Sequence, residues 1–328
     1  MKNNYKGVVL AAGFGSRLRP LSEKTPKPLV NFLDTCALEY NLFALKNLGI
    51  EQLGVNAHYL ASQVQSFIEK RPFDLDIFYS FEKELLGTGG CYNGFRDWLG
   101  DDHLIVLNGD VIADFNLEAW IEDFEQNGQG ALASLVCLKN VVAGENGLNR
   151  ETNSGNITGL KLPLREGETY VNFACAQVLT PEIFEIMPKS GAFGIFESVY
   201  VPLFSDAKKI HSYLHEGFWH DLRNASMLHQ AGVEIMAKLC HEPDFAKNNW
   251  PTNLKDYDLL HRQSKRPSLV HAGVANKDLG QIGEGVFLGK GVSLAGKLSV
   301  ENCIAFGDSR IDADQKNCLV SDGLCIQV

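Results

Sequence analysis

Three features of this chain predict an α/β fold with a second, coiled β-structure behind it. An apolar run, Val8-Val9-Leu10-Ala11-Ala12, passes straight into Gly13-Phe14-Gly15, as a buried parallel strand does when it meets a ligand loop. Strand-like and helix-like segments then alternate through the first 110 residues. From Ile282 onward apolar residues recur every six positions. Together they give a Rossmann-like three-layer sandwich around a mostly parallel sheet, followed by a short C-terminal left-handed parallel β-helix. The expected organisation is a catalytic domain over 1–241, a linker over 242–271 and the β-helix over 272–328.

The elements follow in order. Leu38, Leu42, Leu45 and Leu48 have helical spacing, with Gly49 placed as a C-cap. Leu53–Ala57 reads as a strand, and Val64, Phe67 and Ile68 mark a helix stopped before Pro72. Leu75–Phe81 reads as a strand, and Gly87-Thr88-Gly89-Gly90 opens a helical stretch ending near Trp98. His103–Leu107 is another buried strand that delivers Asn108-Gly109-Asp110 at its end. In such sheets ligands gather at the carboxyl ends of the strands, where the Gly13 loop, the Gly87 patch and Asp110 all fall. The stretch 242–267 is polar, with Pro243, Asn248, Asn249 and Pro251, and reads as a linker with a short helix near Leu254–Leu260.

In the tail, Ile282, Leu288, Leu294, Val300 and Phe306 share one six-residue register, and Val286, Val292, Leu298 and Ile304 share a second. Three hexads make one turn of a parallel β-helix, so the tail supplies about two turns. So short a coil leaves strand edges exposed, and it is expected to dock on the catalytic domain or on a second copy of the chain.

Composition sets the class. The formal charge of −10 argues against nonspecific binding to nucleic acid or an anionic membrane. No apolar run reaches the roughly 18 residues that cross a bilayer. Met1–Lys6 leads directly into the first strand, so no signal peptide is expected. The eight cysteines form no C-x-x-C pair and suit reduced thiols in a cytoplasmic protein.

The first loop is built for phosphate. Glycines at 13 and 15 free the backbone to turn and approach a ligand, and Arg17 and Lys27 add positive charge. A dinucleotide fingerprint would need glycine where Leu18 stands, and no G-K-[ST] follows. The string A-A-G-F-G-S-R-L-R-P-L-S followed by T-P-K-P-L resembles the signature of the sugar-1-phosphate nucleotidyltransferases. Glu84-Leu85-Leu86-Gly87-Thr88-Gly89-Gly90 and the W-x-D at Trp219–Asp221 are similar to that family's further segments. The L-G-T-G-G and N-G-D pair looks like the N-acetylmuramate-1-phosphate uridylyltransferases, and the tail looks like the mannose-1-phosphate guanylyltransferases.

The resemblance covers about residues 7–232 and implies a GT-A-type nucleotidyltransferase with the following site. Leu10, Ala11, Ala12, Gly13, Gly15, Ser16, Gly87 and Thr88 would bind the nucleotide. Arg17 would neutralise the departing pyrophosphate, and Lys27 would hold the acceptor and α-phosphates. Mg²⁺ would sit on Asp110 and Asp221, since two anionic phosphates must be brought together and Mg²⁺ needs only one or two protein carboxylates. Asp110 alone would read as a turn or N-cap aspartate; beside the Gly13 loop it reads as a ligand. His220 reads as a packing or surface residue, because Mg²⁺ prefers oxygen. Asn172 lies in the sugar-pocket segment.

Three departures from the family stand out. Arg223-Asn224 replaces a Gly-Thr after Asp221, Ala174-Cys175 occupies the place of a glycine, and Leu162-Pro163 stands where the family has E-K-P. The expected activity is transfer of a nucleoside monophosphate from an NTP to a sugar-1-phosphate, with small-molecule substrates and homo-oligomer formation through the tail. A catalytically weak nucleotide-sugar-binding regulator and a cytidylyltransferase acting on a non-sugar phosphate such as phosphocholine are the alternatives. A hexapeptide acyltransferase would need a longer coil.

Overall fold

In the computed structural model the described residues are 4–70, 76–139, 147–205, 209–242, 244–245, 250–251, 254–274, 281–321 and 323–328. Pro72, Pro243, Asn248 and Asn249, used above as break signals, lie outside them. Contacts divide the chain into two compact units, Met1–Gly13 with Leu45–Trp219 and Phe14–Ala44 with His220–Val328. Residues 14–44, which the sequence grouped with the N-terminal domain, thus fall in one unit with residues 220–328.

The first unit is built on a nine-stranded sheet of β1 (Tyr5–Leu10), β2 (Gln52–Ala57), β3 (Asp76–Phe81), β4 (His103–Asn108), β5 (Ala131–Leu138), β6 (Gly147–Glu151), β7 (Asn156–Leu160), β8 (Glu168–Leu179) and β9 (Lys209–His215) among the described residues. Their order is β3-β2-β1-β4-β8-β5-β9-β7-β6. The pairs β3–β2, β2–β1, β1–β4 and β5–β9 are parallel. The pairs β4–β8, β8–β5, β9–β7, β7–β6 and β8–β6 are antiparallel. The sheet is therefore mixed rather than mostly parallel. Strands β1 to β4 follow one another through long helical crossovers, as parallel pairing needs, and β5 reaches its parallel partner β9 only by way of the three strands between them; β6 and β7 are joined by a short turn that permits antiparallel pairing alone. Val8, Leu104, Val106 and Leu135 of the sheet are buried with Phe95, Ile183 and Tyr200 from the segments between strands.

Two helices fall where the periodicity placed them, α1 (Ala37–Asn47) and α2 (Ala61–Lys70); α3 (Leu117–Asn127) is a further helix that the structure adds. Gly49 takes a left-handed φ of 87° after α1, and its N–H bonds Lys46 C=O at 2.8 Å. The Gly87 stretch runs helically in three short pieces to Leu99.

In the second unit a tight hairpin pairs Asn31–Phe32 with Thr35–Cys36. The long helix α4 (Ala225–His241) is capped by Asn224, whose side chain accepts from Met227 N–H. The tail rests on both. His229 Nε2 of α4 lies 2.9 Å from Asn302 C=O, and Asp34 of the hairpin accepts from Lys290 N–H at 2.6 Å and from Tyr257 O–H.

Residues 257–260, expected to be helical, form a strand, Tyr257–Leu260, after a single 3-10 turn at Leu254–Asp256. Four residues cannot sustain a helix alone, whereas pairing with Ser268–His271 satisfies their backbone. Ser268–His271, Phe287–Leu288, Val300–Phe306 and Gln315–Ser321 pair in parallel, and Leu324–Gln327 closes the row antiparallel. The six-residue register does not persist. Ile282 bridges Val300, 18 residues on, but Leu288 pairs with Ala305, 17 on, and Cys303 with Cys318, 15 on. Past Val300 the interior is therefore lined by Cys303, Ala305, Cys318 and Val320. Ile304 turns instead toward α4, where a Cβ on Gly232 would lie 2.3 Å from its Cδ1. Among the described residues, no helix is long and apolar enough to cross a membrane.

Candidate functional site

In the first unit the exit of β1 is held from two sides. Leu10 C=O accepts from Gly109 N–H at 2.9 Å, and Ala11 N–H donates to Asn56 Oδ1 at 2.7 Å. A Cβ at Gly109 would lie 2.6 Å from Leu10 O, so only glycine lets the segment bearing Asp110 approach β1 this closely. Ala11 and Ala12 are buried, and Gly13 is exposed. Gly13 has no left-handed φ, and a Cβ there would meet nothing within 4 Å. Neither strain nor packing accounts for that glycine.

The Gly87–Gly90 turn is different. Phe193 C=O accepts from Gly89 N–H at 2.9 Å and Gly90 N–H at 3.3 Å, and Thr88 Oγ1 accepts from Ile195 N–H at 3.2 Å. A Cβ on Gly87 would stand 2.8 Å from Phe193 O, and one on Gly89 2.4 Å from the Phe193 ring. Their lack of side chains thus serves close contact with residues 191–195, a constraint that a base edge was expected to supply. Two residues that sequence reading passed over lie behind this turn. Asn56 Nδ2 donates to Glu82 Oε1 at 2.6 Å, and Glu82 Oε2 accepts from Leu86 N–H at 2.9 Å.

On β8, Asn172 Oδ1 is buried without a hydrogen-bond partner among the described residues. Beyond it the register with β5 shifts between Phe173 and Gln177, and Cys175 adopts φ 65°. The Ala174-Cys175 departure therefore keeps a glycine-type backbone without the glycine. Ala174 C=O accepts from Trp219 Nε1 at 2.9 Å.

In the second unit Gly15 takes φ 63°, and its carbonyl accepts from Leu18 N–H at 2.9 Å and Ser22 Oγ at 2.6 Å. Its missing Cβ would fall 2.8 Å from Lys27 Cβ, so here both strain and packing demand glycine. Ser16 and Arg17 sit exposed on the following 3-10 turn. Lys27, 9% exposed, reaches Asp221 Oδ1 at 3.4 Å. Arg223 Nε lies 2.9 Å from Asp221 Oδ2, off the N–H axis, an ion pair rather than an aligned hydrogen bond. The Arg223 departure thus adds a second cation to this carboxylate. His220 pairs with Glu234 at 2.9 Å, in keeping with a surface role. Among the described residues no cluster of three or more His, Cys, Asp or Glu side chains could hold a metal ion.

The sequence model of the nucleotidyl transferase family matches residues 6–238. The chain belongs to the nucleotidyl transferase family. It is 29% identical over 223 residues to the low-salt glycan biosynthesis nucleotidyltransferase Agl11 of Haloferax volcanii, spanning 66% of this chain and 62% of that protein. It is 27% identical over 224 residues to the mannose-1-phosphate guanyltransferase of Saccharomyces cerevisiae, spanning 66% of this chain and 61% of that protein. The chain therefore spans less than two thirds of these relatives' length. Among solved structures, HddC from Yersinia pseudotuberculosis complexed with GMP-PN superposes with a TM-score of 0.57 at 21% identity, covering 70% of this chain and 98% of that one. That likeness establishes a shared fold.

Proposed function

We propose that this nucleotidyl transferase moves a nucleoside monophosphate from an NTP to a sugar-1-phosphate and releases pyrophosphate. The observation that carries the reading is Gly13, whose absent side chain opens onto empty space with no strain or packing to require it. Glycine there leaves room for a ligand to approach the backbone, and the Leu10–Gly109 hydrogen bond brings the Asp110 segment to the same strand exit.

The chain's own groups divide the work. The loop from Leu10 to Ser16 lies along the triphosphate, Arg17 receives the departing pyrophosphate, and Lys27 holds the acceptor and α-phosphates. Gly87 and Thr88 lie against the base. Asn172 Oδ1, a buried acceptor without a donor among the described residues, takes a sugar hydroxyl. No general base is required, since the acceptor phosphate is already anionic; positioning and charge stabilisation suffice. Asp110 and Asp221 supply the oxygen donors that Mg²⁺ favours, and each Asp221 oxygen, with one cationic neighbour, keeps a lone pair to offer. Mg²⁺, when bound, would offset the repulsion between the phosphates that meet.

Residues 1–241 are read as catalytic and 242–271 as a linker. We read 272–328 as a short left-handed β-helix, supported by its parallel strands. Homo-oligomer formation through the coil's end and a cytoplasmic setting belong to the same proposal.

Arg223 favours a second reading, a nucleotide-sugar-binding regulator, because its guanidinium competes with a metal for Asp221. One assay separates the two. Each NTP is incubated with Mg²⁺ and a panel of sugar-1-phosphates plus phosphocholine, and pyrophosphate is measured. The transferase reading predicts release with one sugar-1-phosphate and its loss by orders of magnitude in Asp110→Asn. Nucleotide binding with no pyrophosphate from any pair would establish the regulator. Release with phosphocholine alone would move the acceptor class.

A further inference from the structure

We propose that Asn56 and Glu82 act as a positioning bridge that sets the spacing between the two nucleotide-facing backbone segments, and thereby sets affinity for the NTP. The inference rests on the nucleotidyl-transfer reading above. Its basis is an unbroken chain of three hydrogen bonds inside the first unit. Ala11 N–H donates to Asn56 Oδ1 at 2.7 Å, Asn56 Nδ2 to Glu82 Oε1 at 2.6 Å, and Leu86 N–H to Glu82 Oε2 at 2.9 Å. Both side chains are 2% exposed. The orientation of the Asn56 amide follows from the network, since only oxygen toward Ala11 and nitrogen toward Glu82 satisfies both neighbours.

A carboxylate in such surroundings is costly, and two apolar side chains would fill the space without desolvating a charge. What an apolar pair cannot do is grip two backbone N–H groups 75 residues apart in sequence. One belongs to Ala11, two residues before Gly13. The other belongs to Leu86, next to Gly87 with its φ of 75°. Glu82 is itself fixed to β2, for its N–H bonds Ala57 C=O at 2.8 Å and its carbonyl lies 2.9 Å from His58 Nδ1. The bridge therefore ties the strand exit that meets the phosphates to the turn that meets the base, and both ends are anchored to one sheet. Phosphate and base belong to the same nucleotide, so an error in this spacing weakens NTP binding and leaves the sugar phosphate largely unaffected.

The polarity of the three bonds provides a decisive test. In Glu82→Gln one acceptor becomes an NH₂ that must face another donor. In Asn56→Asp a second carboxylate oxygen faces Glu82. In the double variant Asn56→Asp/Glu82→Gln, the new carboxylate at 56 accepts from Ala11 N–H and from the new amide at 82. That amide's oxygen accepts from Leu86 N–H, so all three bonds return with the middle one reversed.

The full-length wild type, both single variants and the double variant would be compared in pyrophosphate release, using the NTP and sugar-1-phosphate selected by the panel. Direct binding of that NTP would be measured by calorimetry and folding by thermal melts. Each single variant should raise KM and Kd for the NTP at least tenfold, with KM for the sugar phosphate changed less than twofold. The double variant should return NTP affinity to within about threefold of wild type. Wild-type affinity in both single variants would overturn the bridge, as would a double variant that regains thermal stability but not NTP affinity. Equal changes in both KM values would also overturn it. Failure of the wild type to bind any NTP would overturn the transfer reading itself, and the bridge's role with it.

Discussion

Cys175 holds a backbone conformation that glycine would adopt without penalty. An L-residue in the left-handed region costs about 1–2 kcal/mol, and glycine's extra freedom in the unfolded chain returns about 0.5–1 kcal/mol of that gain. Cys175→Gly is therefore expected to be more stable than Cys175→Ala by roughly 0.5–1 kcal/mol in denaturant titration, the alanine serving as control for loss of the thiol. An alanine variant as stable as the glycine variant would show that the bulge on β8 carries no strain. The same scale explains which glycines sequence could interpret. Gly13 and Gly15 look alike in the string G-F-G, yet Gly15 answers to Lys27 and its own φ, and Gly13 to neither. Asn56 and Glu82 were invisible because two polar residues 26 positions apart form no motif; only the pairing of β2 with β3 brings their strand ends together.

At the scale of elements, the 31–36 hairpin turns through Leu33 and Asp34 at φ 51° and 57° without a glycine at either position. Hairpins of this kind favour Asn-Gly, so this one is held by its surroundings. Leu33 is buried, and Asp34 accepts from Lys290 N–H and Tyr257 O–H. Tyr257→Phe removes one hydrogen bond to a charged acceptor and should cost about 1.5–3 kcal/mol in chemical unfolding; a loss below about 0.5 kcal/mol would mean the hairpin supports itself. Elements with strong local periodicity were readable in advance, including β1, β2, β4 and α1. Those that depend on distant partners were not. Tyr257–Leu260 becomes a strand only because Ser268–His271 lies beside it, and the antiparallel half of the sheet follows from short turns between β6 and β7 that carry no periodic signal.

Across the whole molecule, three histidines among the described residues, His211 and His229 buried and His103 half-buried, tie stability to pH. Burial lowers the pKa of His103 and His211 in the first unit and of His229 in the second. For His211 burial outweighs Asp123, whose carboxylate lies 3.1 Å from Nε2, while Nδ1 shares a hydrogen bond with Ser134 Oγ. Each stays neutral in the fold below the pH at which it gains a proton when unfolded, near 6.5. The unfolded state then binds more protons, so stability is complete above about pH 6.5 and falls as pH drops through the lower folded-state values. The melting temperature should fall between pH 7.5 and 5.5, and less steeply in His211→Asn; identical slopes would remove His211 from the account. The central claim, that the nucleoside monophosphate carrying the α-phosphorus of the NTP passes to a sugar-1-phosphate, is tested most directly by following label. With the NTP and acceptor that the panel selects, α-³²P is predicted to appear in the nucleotide-sugar and γ-³²P in pyrophosphate, in equal amounts. Release of γ-³²P as inorganic phosphate, or α-³²P that never leaves the free nucleotide pool, would contradict it.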